Sequence, residues 1–263
     1  MVRQISISIA IAGLVVLGAV LGIAQAPAAV SSTPAEFEVA TIKAADPTHS
    51  IGIRRLPGGL FVTSNTSLRL LITWAYDIGD ERLIGAPGWL DSARFDVVAK
   101  APDLNPNLAR GQLQLMVQTL LAERFKLRIH REHKELPMYI LEMDRGGPKV
   151  QVLGAGAVSQ DPFKMNVLGR LSGTGVTATM LAKVLSGQLG RYVEDKTGFT
   201  SVFEFTLVWR PEGALPADTP SEDDVRPSIF TAIREQLGFQ LVPAKGPVEV
   251  IAIDHVEHHP TEN

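Results

Sequence analysis

One succession of sequence patterns occurs twice in this chain, and this repeat constrains the fold more than any other feature. Residues 58–90 and residues 169–199 carry the same turn, strand-like run and helical run, about 110 residues apart. The match continues downstream, where "RFDVVAKAP" corresponds to "VFEFTLVWRP" and "MVQTLLAERF" to "SIFTAIREQLG". Because so many elements in matching order are hard to obtain by chance, the sequence predicts an internal duplication.

The predicted fold class is α+β, built as a tandem duplication of a β-α-β-β-α-β type unit. Each unit is too small to be stable alone, and we expect small mixed sheets, each covered by two helices. Unit one spans 36–145 and unit two spans 165–258, joined by a glycine-rich linker at 146–164. A proline-rich acidic loop at 211–227 interrupts unit two, and a polar tail follows at 259–263.

Local patterns place the elements within each unit. Phe95, Val97 and Ala99 alternate as the buried face of a strand, and Thr66 or Ser67 is positioned to cap the helix that follows. The run "KLRIHREHKELPMYILEMD" has a charged centre, which predicts two strands joined by a hairpin. The corresponding run "FQLVPAKGPVEVIAIDHV" predicts the same hairpin in unit two.

The first 28 residues have the pattern of an export signal. Arg3 precedes an apolar run at 5–24, and Ala26 and Ala28 fit the small-residue rule for cleavage after Ala28. If it is not cleaved, the apolar run is long enough to remain as a membrane anchor. The expected location is therefore periplasmic, cell-surface or secreted. The chain has no cysteine, so its stability must come from packing without disulfides.

Composition and charge narrow the class of partner. The formal net charge is −3 and the basic residues are not clustered, so we expect no nucleic acid partner. We expect contact with a membrane only if the N-terminal segment stays attached. The expected partner is an envelope protein or a peptide.

Histidines supply the candidate metal ligands. His255, His258 and His259 cluster near the C-terminus with two carboxylates, a set of donors that can hold zinc or copper. The alternative is a strand that runs out into a polar tail, where nothing would fix the geometry of the ligands. His130 and His133 are expected to be solvated on the predicted hairpin.

Four large aromatic residues near the ends of elements are the candidate binding residues. They are predicted to close the ends of the sheets as part of the core, and would mark a contact surface if they were exposed. These residues are Trp74, Tyr76, Trp89 and Trp209.

No motif predicts catalysis or a cofactor. Gly173, Gly175 and Ala178 spell G-x-G-x-x-A before a helix, with Glu194 or Asp195 about 20 residues further on. The corresponding position of unit one lacks the glycines, so we expect them to serve a turn and a helix start. We therefore expect no cofactor and assign no catalytic residue.

Several blocks of sequence resemble a family of exported proteins of unknown function that is abundant in soil Acidobacteria, with many copies per genome. The blocks include "FEVATIK", "GAPGWLDSARFDVVAKAP", "VEDKTGFTSVFEFTLVW" and "TAIREQLGFQLVPAKGPVEVIAIDHVEHHPTEN". Some relatives of that family carry the region attached to a membrane metallopeptidase similar to antibiotic-sensing receptors. This resemblance implies a sensory or binding role outside the cytoplasm.

The β-α-β-β-α-β order and spacing of elements in each half is also similar to the short N-terminal domain of secretins and TonB-dependent receptors. This similarity implies a periplasmic contact module. The leading hypothesis is an exported, non-enzymatic binding or sensing module that accepts a partner strand at a sheet edge or in a groove between the units. Two alternatives remain open. One is a secreted hydrolase or metal-binding protein with a site between the units, and the other is the detached ectodomain of a peptidase-linked signalling receptor.

Overall fold

The first half of the chain, residues 36–145, forms six strands and two helices. The computed structural model describes residues 36–102, 109–154, 156–159, 162–166, 169–211 and 226–261. The elements of the first half are β1 (Val39–Ala44), β2 (Gly52–Leu56), β3 (Leu60–Ser67), α1 (Leu68–Ala75), β4 (Leu83–Ile84), β5 (Arg94–Lys100), α2 (Arg110–Arg124) and β6 (Arg128–Met143).

The second half, residues 146–261, has its elements in the same order. They are β7 (Gln151–Leu153), β8 (Phe163–Asn166), β9 (Arg170–Val176), α3 (Ala178–Leu189), β10 (Val193–Asp195), β11 (Val202–Val208), α4 (Ile229–Ala232) with a π-helical turn (Ile233–Leu237), and β12 (Phe239–His255). The fold is thus mixed α and β, with small sheets and four helices in the described residues.

The strands form three sheets of four strands each. The first-half sheet has the strand order β1-β5-β3-β2, and the second-half sheet has the order β7-β11-β9-β8. The third, which we call the shared sheet, has the order β10-β6-β12-β4 and takes two strands from each half. The described residues from 36 to 261 belong to one compact unit by their contacts.

The two long strands of the shared sheet differ from the predicted hairpins. β6 runs for 16 residues and β12 for 17, and they pair antiparallel from Phe239↔Met143 to His255↔Arg128. The hairpin prediction is wrong because the charged stretch of β6 finds its partner in β12, far along the chain. His130 and His133 consequently lie inside a strand and not on a turn.

Each of the two main cores includes a residue from the other half of the chain. Ile251 of β12 is fully buried in the core of the first half, among residues such as Phe61 and Phe95. Leu141 of β6 is fully buried in the core of the second half, with residues such as Phe203. The expectation that each unit covers its own small sheet is therefore wrong for the shared sheet, which neither half forms alone.

Helix starts follow the predicted capping chemistry. Ser67 caps α1, because its Oγ accepts a hydrogen bond from the backbone N–H of Leu70 at 3.2 Å. Thr177 caps α3 by accepting from the N–H of Met180 at 3.3 Å. Leu68, Leu71 and Ile72 of α1 are buried in the first-half core, which fixes the helix against the inner face of its sheet.

Part of the predicted linker at 146–164 is sheet, since it contains β7 and the start of β8. The predicted export signal at 1–28 and residues 212–225 of the predicted loop lie outside the described residues. In the part of the chain that the structure describes, none of the helices has both the length and the apolar character needed to span a bilayer.

Candidate functional site

A groove lies between the edge strand of the first-half sheet and helix α2. Its volume is about 310 Å³. One wall is residues 36–40, at and before the start of β1, and the other is the outer side of α2. The residues of the helix wall are Met116, Thr119, Leu120, Glu123 and Arg124. This groove is the concave surface on which a site can be built.

β1 leaves one side of its backbone without a partner. It pairs with β5 only, and no strand among the described residues pairs with its other side. The N–H of Ala45 donates to the carbonyl of Arg94 at 3.0 Å, which sets the alternation of inward and outward backbone groups. Ala40, Ile42 and Ala44 therefore turn their N–H and C=O groups toward the open edge. These groups can pair with an added strand.

The floor of the groove is apolar. Met116 is 8% exposed and Leu120 is 6% exposed, and both belong to the first-half core. Phe37, which precedes β1, stacks on the buried ring of Phe61 with 6.0 Å between ring centroids. An aliphatic side chain that entered the groove would exclude water from this floor, which is the main favourable term in such contacts.

The rim of the groove is acidic. Glu36, Glu38 and Glu123 line it, and none of the three carboxylates forms an ion pair with another described residue. Arg124 is the one cation among the lining residues, and its Nε is buried without a hydrogen-bond partner in the described part of the chain. The rim thus favours a ligand with basic side chains.

The C-terminal segment fixes the end of α2 that borders the groove. The backbone N–H of Glu257 donates to the carbonyl of Phe125 at 2.7 Å, and that of Thr261 donates to the carbonyl of Arg124 at 2.7 Å. These bonds satisfy carbonyl groups that a helix end leaves open. The described part of the predicted polar tail is therefore packed against the fold.

The candidate metal ligands take part in separate contacts. His258 packs on Trp89 with 4.6 Å between ring centroids, and His259 packs edge-on against His258. His255 lies 3.9 Å from a carboxylate oxygen of Glu257. Within residues 36–261, as far as they are described, no three His, Asp or Glu side chains are grouped so that they could hold a metal ion.

The two histidines of β6 also lie apart from such a group. His130 Nδ1 is 2.8 Å from a carboxylate oxygen of Asp254 on the neighbouring strand β12. His133 is exposed and faces Glu249 across the strand pair. The His130–Asp254 contact is a cross-strand pair on a solvated surface, which contributes little to stability.

The candidate aromatic residues pack against the two cores. Trp209 is 7% exposed in the second-half core. Trp74, Tyr76 and Trp89 are partly buried against the first-half core, and Trp74 lies 5.0 Å from the ring of Phe61. Burial raises the pKa of the Tyr76 hydroxyl above its usual value. These four residues close the cores and do not form an exposed contact surface.

The two glycines of the G-x-G-x-x-A pattern serve the backbone. Gly175 has φ 74° at the end of β9, where the pairing with β11 shifts register, and Gly173 packs against the ring of Phe205. The carboxylate of Asp195 forms hydrogen bonds with neighbouring residues. It accepts from the Thr179 hydroxyl and from the backbone N–H and hydroxyl of Thr197. The geometry of this segment is that of a turn and a helix start.

Sequence reasoning missed the groove, because its walls are far apart along the chain. Glu38 and Glu123 come together only when β1 pairs with β5 and α2 packs beneath the sheet. The one local signal was the cluster of acidic residues before β1, in "AEFEVA".

Comparison with known proteins identifies a family. The family model described as "Protein of unknown function (DUF3738)" matches residues 69–256, most of the chain. No curated protein and no solved structure matches the chain. The matched region begins inside α1 and ends just after β12, so it includes α2 and the shared sheet. The chain belongs to the DUF3738 family.

Proposed function

We propose that this protein is an exported binding module that takes up an extended peptide segment along the open edge of β1. The observation that carries the proposal is the groove of about 310 Å³ between β1 and α2. A strand added to β1 would pair with the outward backbone groups of this edge, which provides affinity. Its alternate side chains would enter the groove, which provides selectivity.

The chemistry of the groove indicates the class of segment. The floor of Met116 and Leu120 accepts aliphatic side chains. The carboxylates of Glu36, Glu38 and Glu123, which form no ion pair with a described residue, attract lysine or arginine. The proposed ligand is therefore a segment in which aliphatic and basic residues alternate, as in an exposed edge or tail of an envelope protein.

We also propose that the two halves arose by duplication of one unit. The two half sheets have the same strand order, and Ser67 and Thr177 cap corresponding helices. The N–H of Ala101 donates to Gly59, as that of Trp209 donates to Gly169, both at 2.9 Å. Left-handed backbone conformations recur at corresponding positions: Gly59 and Gly169, Asn65 and Gly175, Lys126 and Gly238.

Under this proposal the halves have exchanged strands. β4 pairs with β12, and β10 pairs with β6, so each short strand is paired in parallel with the long strand of the other half. An exchange of this kind locks two copies of a small unit together without a disulfide. The similarity of each half to the N-terminal domain of secretins and TonB-dependent receptors fits this proposal, because those domains are contact modules.

Export is part of the proposal, and it rests on residues 1–28 and on the resemblance to exported proteins of soil Acidobacteria. The chain without cysteine is compatible with any compartment, so the location needs a direct test. Fractionation of cells that express the full chain, with N-terminal sequencing of the product, is expected to give an envelope protein that begins at Ala29. A product that retains Met1 in the cytoplasm would contradict this part.

Peptide binding to the full chain tests the function. The probe is a labelled peptide of alternating valine and lysine with the length of β1, six residues. We expect saturable binding by fluorescence anisotropy, and loss of binding when alternate peptide amides are N-methylated, because those amides would pair with β1. Equal binding of the N-methylated peptide, or no saturation up to about 1 mM, would overturn the proposal.

Matched variants locate the site. Ala44→Pro removes an outward N–H from an edge strand that tolerates proline, and it is expected to abolish binding, whereas Ala44→Val keeps the N–H and the affinity. Glu123→Lys is expected to weaken binding about fivefold by reversing a charge of the rim. Glu135→Lys is the control, since this exposed carboxylate lies on β6 away from the groove.

A further inference from the structure

The first-half sheet has a second surface, on the face opposite to its core. We call it the open face. Pairs across the strands place Val39, Lys100, Leu60 and Leu56 in one row and Thr41, Val98, Val62 and Arg54 in the next. A third row consists of two pairs, Lys43 with Asp96 and Ser64 with Gly52, and a register shift between β3 and β5 separates these pairs. Five of these residues are aliphatic and adjacent, so the open face carries an apolar band.

The band is accessible in the described part of the chain. Val39 is 59% exposed, Val98 is 48% exposed and Leu56 is 40% exposed. Val98 lies directly opposite Val62 on β3, so the exposed groups form a continuous strip across the strands. Exposed aliphatic residues that occur singly need no explanation, but a strip of this kind marks a contact surface.

Cations flank the band on both edges of the sheet. Lys43 lies on β1 and Arg54 on β2, and neither side chain forms a hydrogen bond or ion pair with another described residue. The ammonium of Lys100 donates to the carbonyl of Gly58 at 2.9 Å and adds a third positive charge.

Asp96 is the one carboxylate among the residues of the three rows, and it is already bound. Asp96 accepts from the backbone N–H of Asn65 at 2.7 Å, and its other oxygen lies 3.6 Å from His49 Nδ1. It therefore compensates the cations of the face only in part. The net character of the open face is apolar with a positive border.

A depression continues the band at the β2 edge. Its volume is about 370 Å³, and Ile51, Arg54 and Ser64 are among its lining residues. Ile51 is 55% exposed, so the depression has an apolar side next to the guanidinium of Arg54. It is shaped to receive the end of a partner element together with an acidic group.

We propose that the open face docks an acidic amphipathic helix of a partner protein. Four strands spaced about 4.8 Å apart give a platform wider than a helix, whose diameter is about 10 Å. The apolar stripe of the helix would cover the aliphatic band, as helices cover sheets within domains. Glutamate or aspartate beside that stripe would pair with Lys43 and Arg54.

Charge and composition favour this occupant over two others. A second copy of the chain would bring Lys43 and Arg54 against the same cations, which disfavours self-association. The residues of the three rows include no tryptophan, tyrosine or phenylalanine, the side chains that anchor proteins at lipid headgroups. The open face therefore fits an acidic protein element better than it fits itself or a membrane.

This inference is separate from the β1 groove, because Val39 is the one residue that the groove lining and the three rows of the open face have in common. Its probe is a designed helical peptide with a leucine stripe flanked by glutamates, titrated into the full chain. We expect saturable binding, and at least tenfold weaker binding of the matched peptide in which lysines replace the glutamates. Equal binding of the two peptides would overturn the inference.

Equivalent positions of the two half sheets provide matched variants. Arg54 pairs with Val62 as Lys164 pairs with Ser172, and Arg54→Glu is expected to weaken binding of the helical peptide about fivefold while Lys164→Glu leaves it unchanged. Val98→Thr gives the open face the residue that the second-half sheet has at Thr206, and it is expected to weaken binding by a similar factor. Unchanged affinity in both Arg54→Glu and Val98→Thr would overturn the inference.

The wild type and the Val98→Thr variant also test whether a second copy of the chain or a lipid surface occupies the open face. Dimers in analytical ultracentrifugation that Val98→Thr dissociates would overturn the inference in favour of a second copy. Binding to phosphatidylglycerol vesicles that Val98→Thr abolishes would overturn it in favour of a lipid surface. Ala44→Pro is expected to leave the helical peptide bound, so that failure of the groove and failure of the open face are distinguished.

Discussion

The two half sheets have the same strand order but different outward faces. Val62 pairs with Val98 on the open face of the first-half sheet. At the corresponding place in the second-half sheet Ser172 pairs with Thr206, and their hydroxyls lie 3.3 Å apart. One architecture therefore supports an apolar outward face in one half and a hydrogen-bonded polar outward face in the other. Under the proposed function, recognition is concentrated in the first half.

The corresponding edge strands of the two half sheets differ in length. β1 offers six residues of edge strand, of which Val39 and Ala40 line the groove, whereas the corresponding edge strand β7 has three residues. A short edge strand gives few backbone groups for an added strand to pair with. The second half thus retains the fold with a reduced edge, and its main contribution is the long strand β12 that completes the first-half core.

The largest expected effect concerns the exchanged strands. Ile251→Ala and Leu141→Ala each remove a fully buried side chain from the core of the opposite half, and each is expected to cost about 2–5 kcal/mol. Urea unfolding of variants that keep only Trp74 or only Trp209 would report each half separately. We expect both tryptophans to report the same lowered midpoint. A loss of stability confined to the half that contains the mutated residue would contradict the exchange.

The next largest expected loss of stability concerns residues that follow a helix in a left-handed backbone conformation. Gly238 has φ 72°, and a Cβ there would overlap the carbonyl oxygen of Gly147. Gly238→Ala is therefore expected to cost at least about 2 kcal/mol in urea unfolding. Gly190→Ala is the control, because Gly190 is also left-handed but has open space around it, and it is expected to cost less. Equal losses of stability in Gly238→Ala and Gly190→Ala would show that the close approach to Gly147 is unimportant.

The corresponding position of the first half carries a lysine. Lys126 has φ 50°, a conformation that costs a residue with a side chain more than it costs glycine. Lys126→Gly is expected to raise stability by about 0.5 kcal/mol, since relief of this strain exceeds the backbone entropy of glycine. Thermal unfolding is the measurement, and a decrease in the midpoint would indicate that the bond from Lys126 Nζ to the carbonyl of Glu123 matters more.

The smallest expected effect is a pH dependence that arises in the first half. Burial raises the pKa of Glu81 above its ordinary value of 4.5, and the carboxylate oxygen Oε2 is buried without a hydrogen-bond partner among the described residues. The folded state then holds this proton more tightly than the unfolded state, so stability falls as pH rises from about 4.5 through the folded pKa.

Replacement of Glu81 by glutamine tests whether the buried carboxylate lowers stability as the pH rises. Glu81→Gln is expected to raise the urea midpoint at pH 7 and to leave it nearly unchanged at about pH 3, where both states of the wild type are almost fully protonated. The exposed Glu135→Gln is the control and should show neither change. A variant that is less stable than the wild type at pH 7 would show that the Glu81 carboxylate is stabilising.

Local patterns predicted much of the fold. Phe95, Val97 and Ala99 form the buried face of β5 as their alternation indicates, and Ser67 caps α1 as its position before the apolar run indicates. Such features depend on neighbours in sequence, so a single chain reveals them.

Features that depend on distant pairing escaped prediction. The charged centre of β6 has the composition of a turn, but pairing with Val248 and Val250 of β12 keeps it extended. The candidate histidines are clustered in sequence, yet His258 packs on Trp89 and is not grouped with other metal-ligating side chains in the described part of the chain. The groove was missed for the same reason, because Glu38 and Leu120 meet only through the sheet. Tertiary pairing decided each of these cases.

Hydrogen exchange at the β1 edge tests the central claim most directly. The amides of Ala40, Ile42 and Ala44 face the open edge, so they should exchange rapidly in the free protein and more slowly with the six-residue valine–lysine peptide bound. The account predicts at least tenfold slower exchange at these amides, with no change in β7. Unchanged exchange at all three amides under saturating peptide would contradict it.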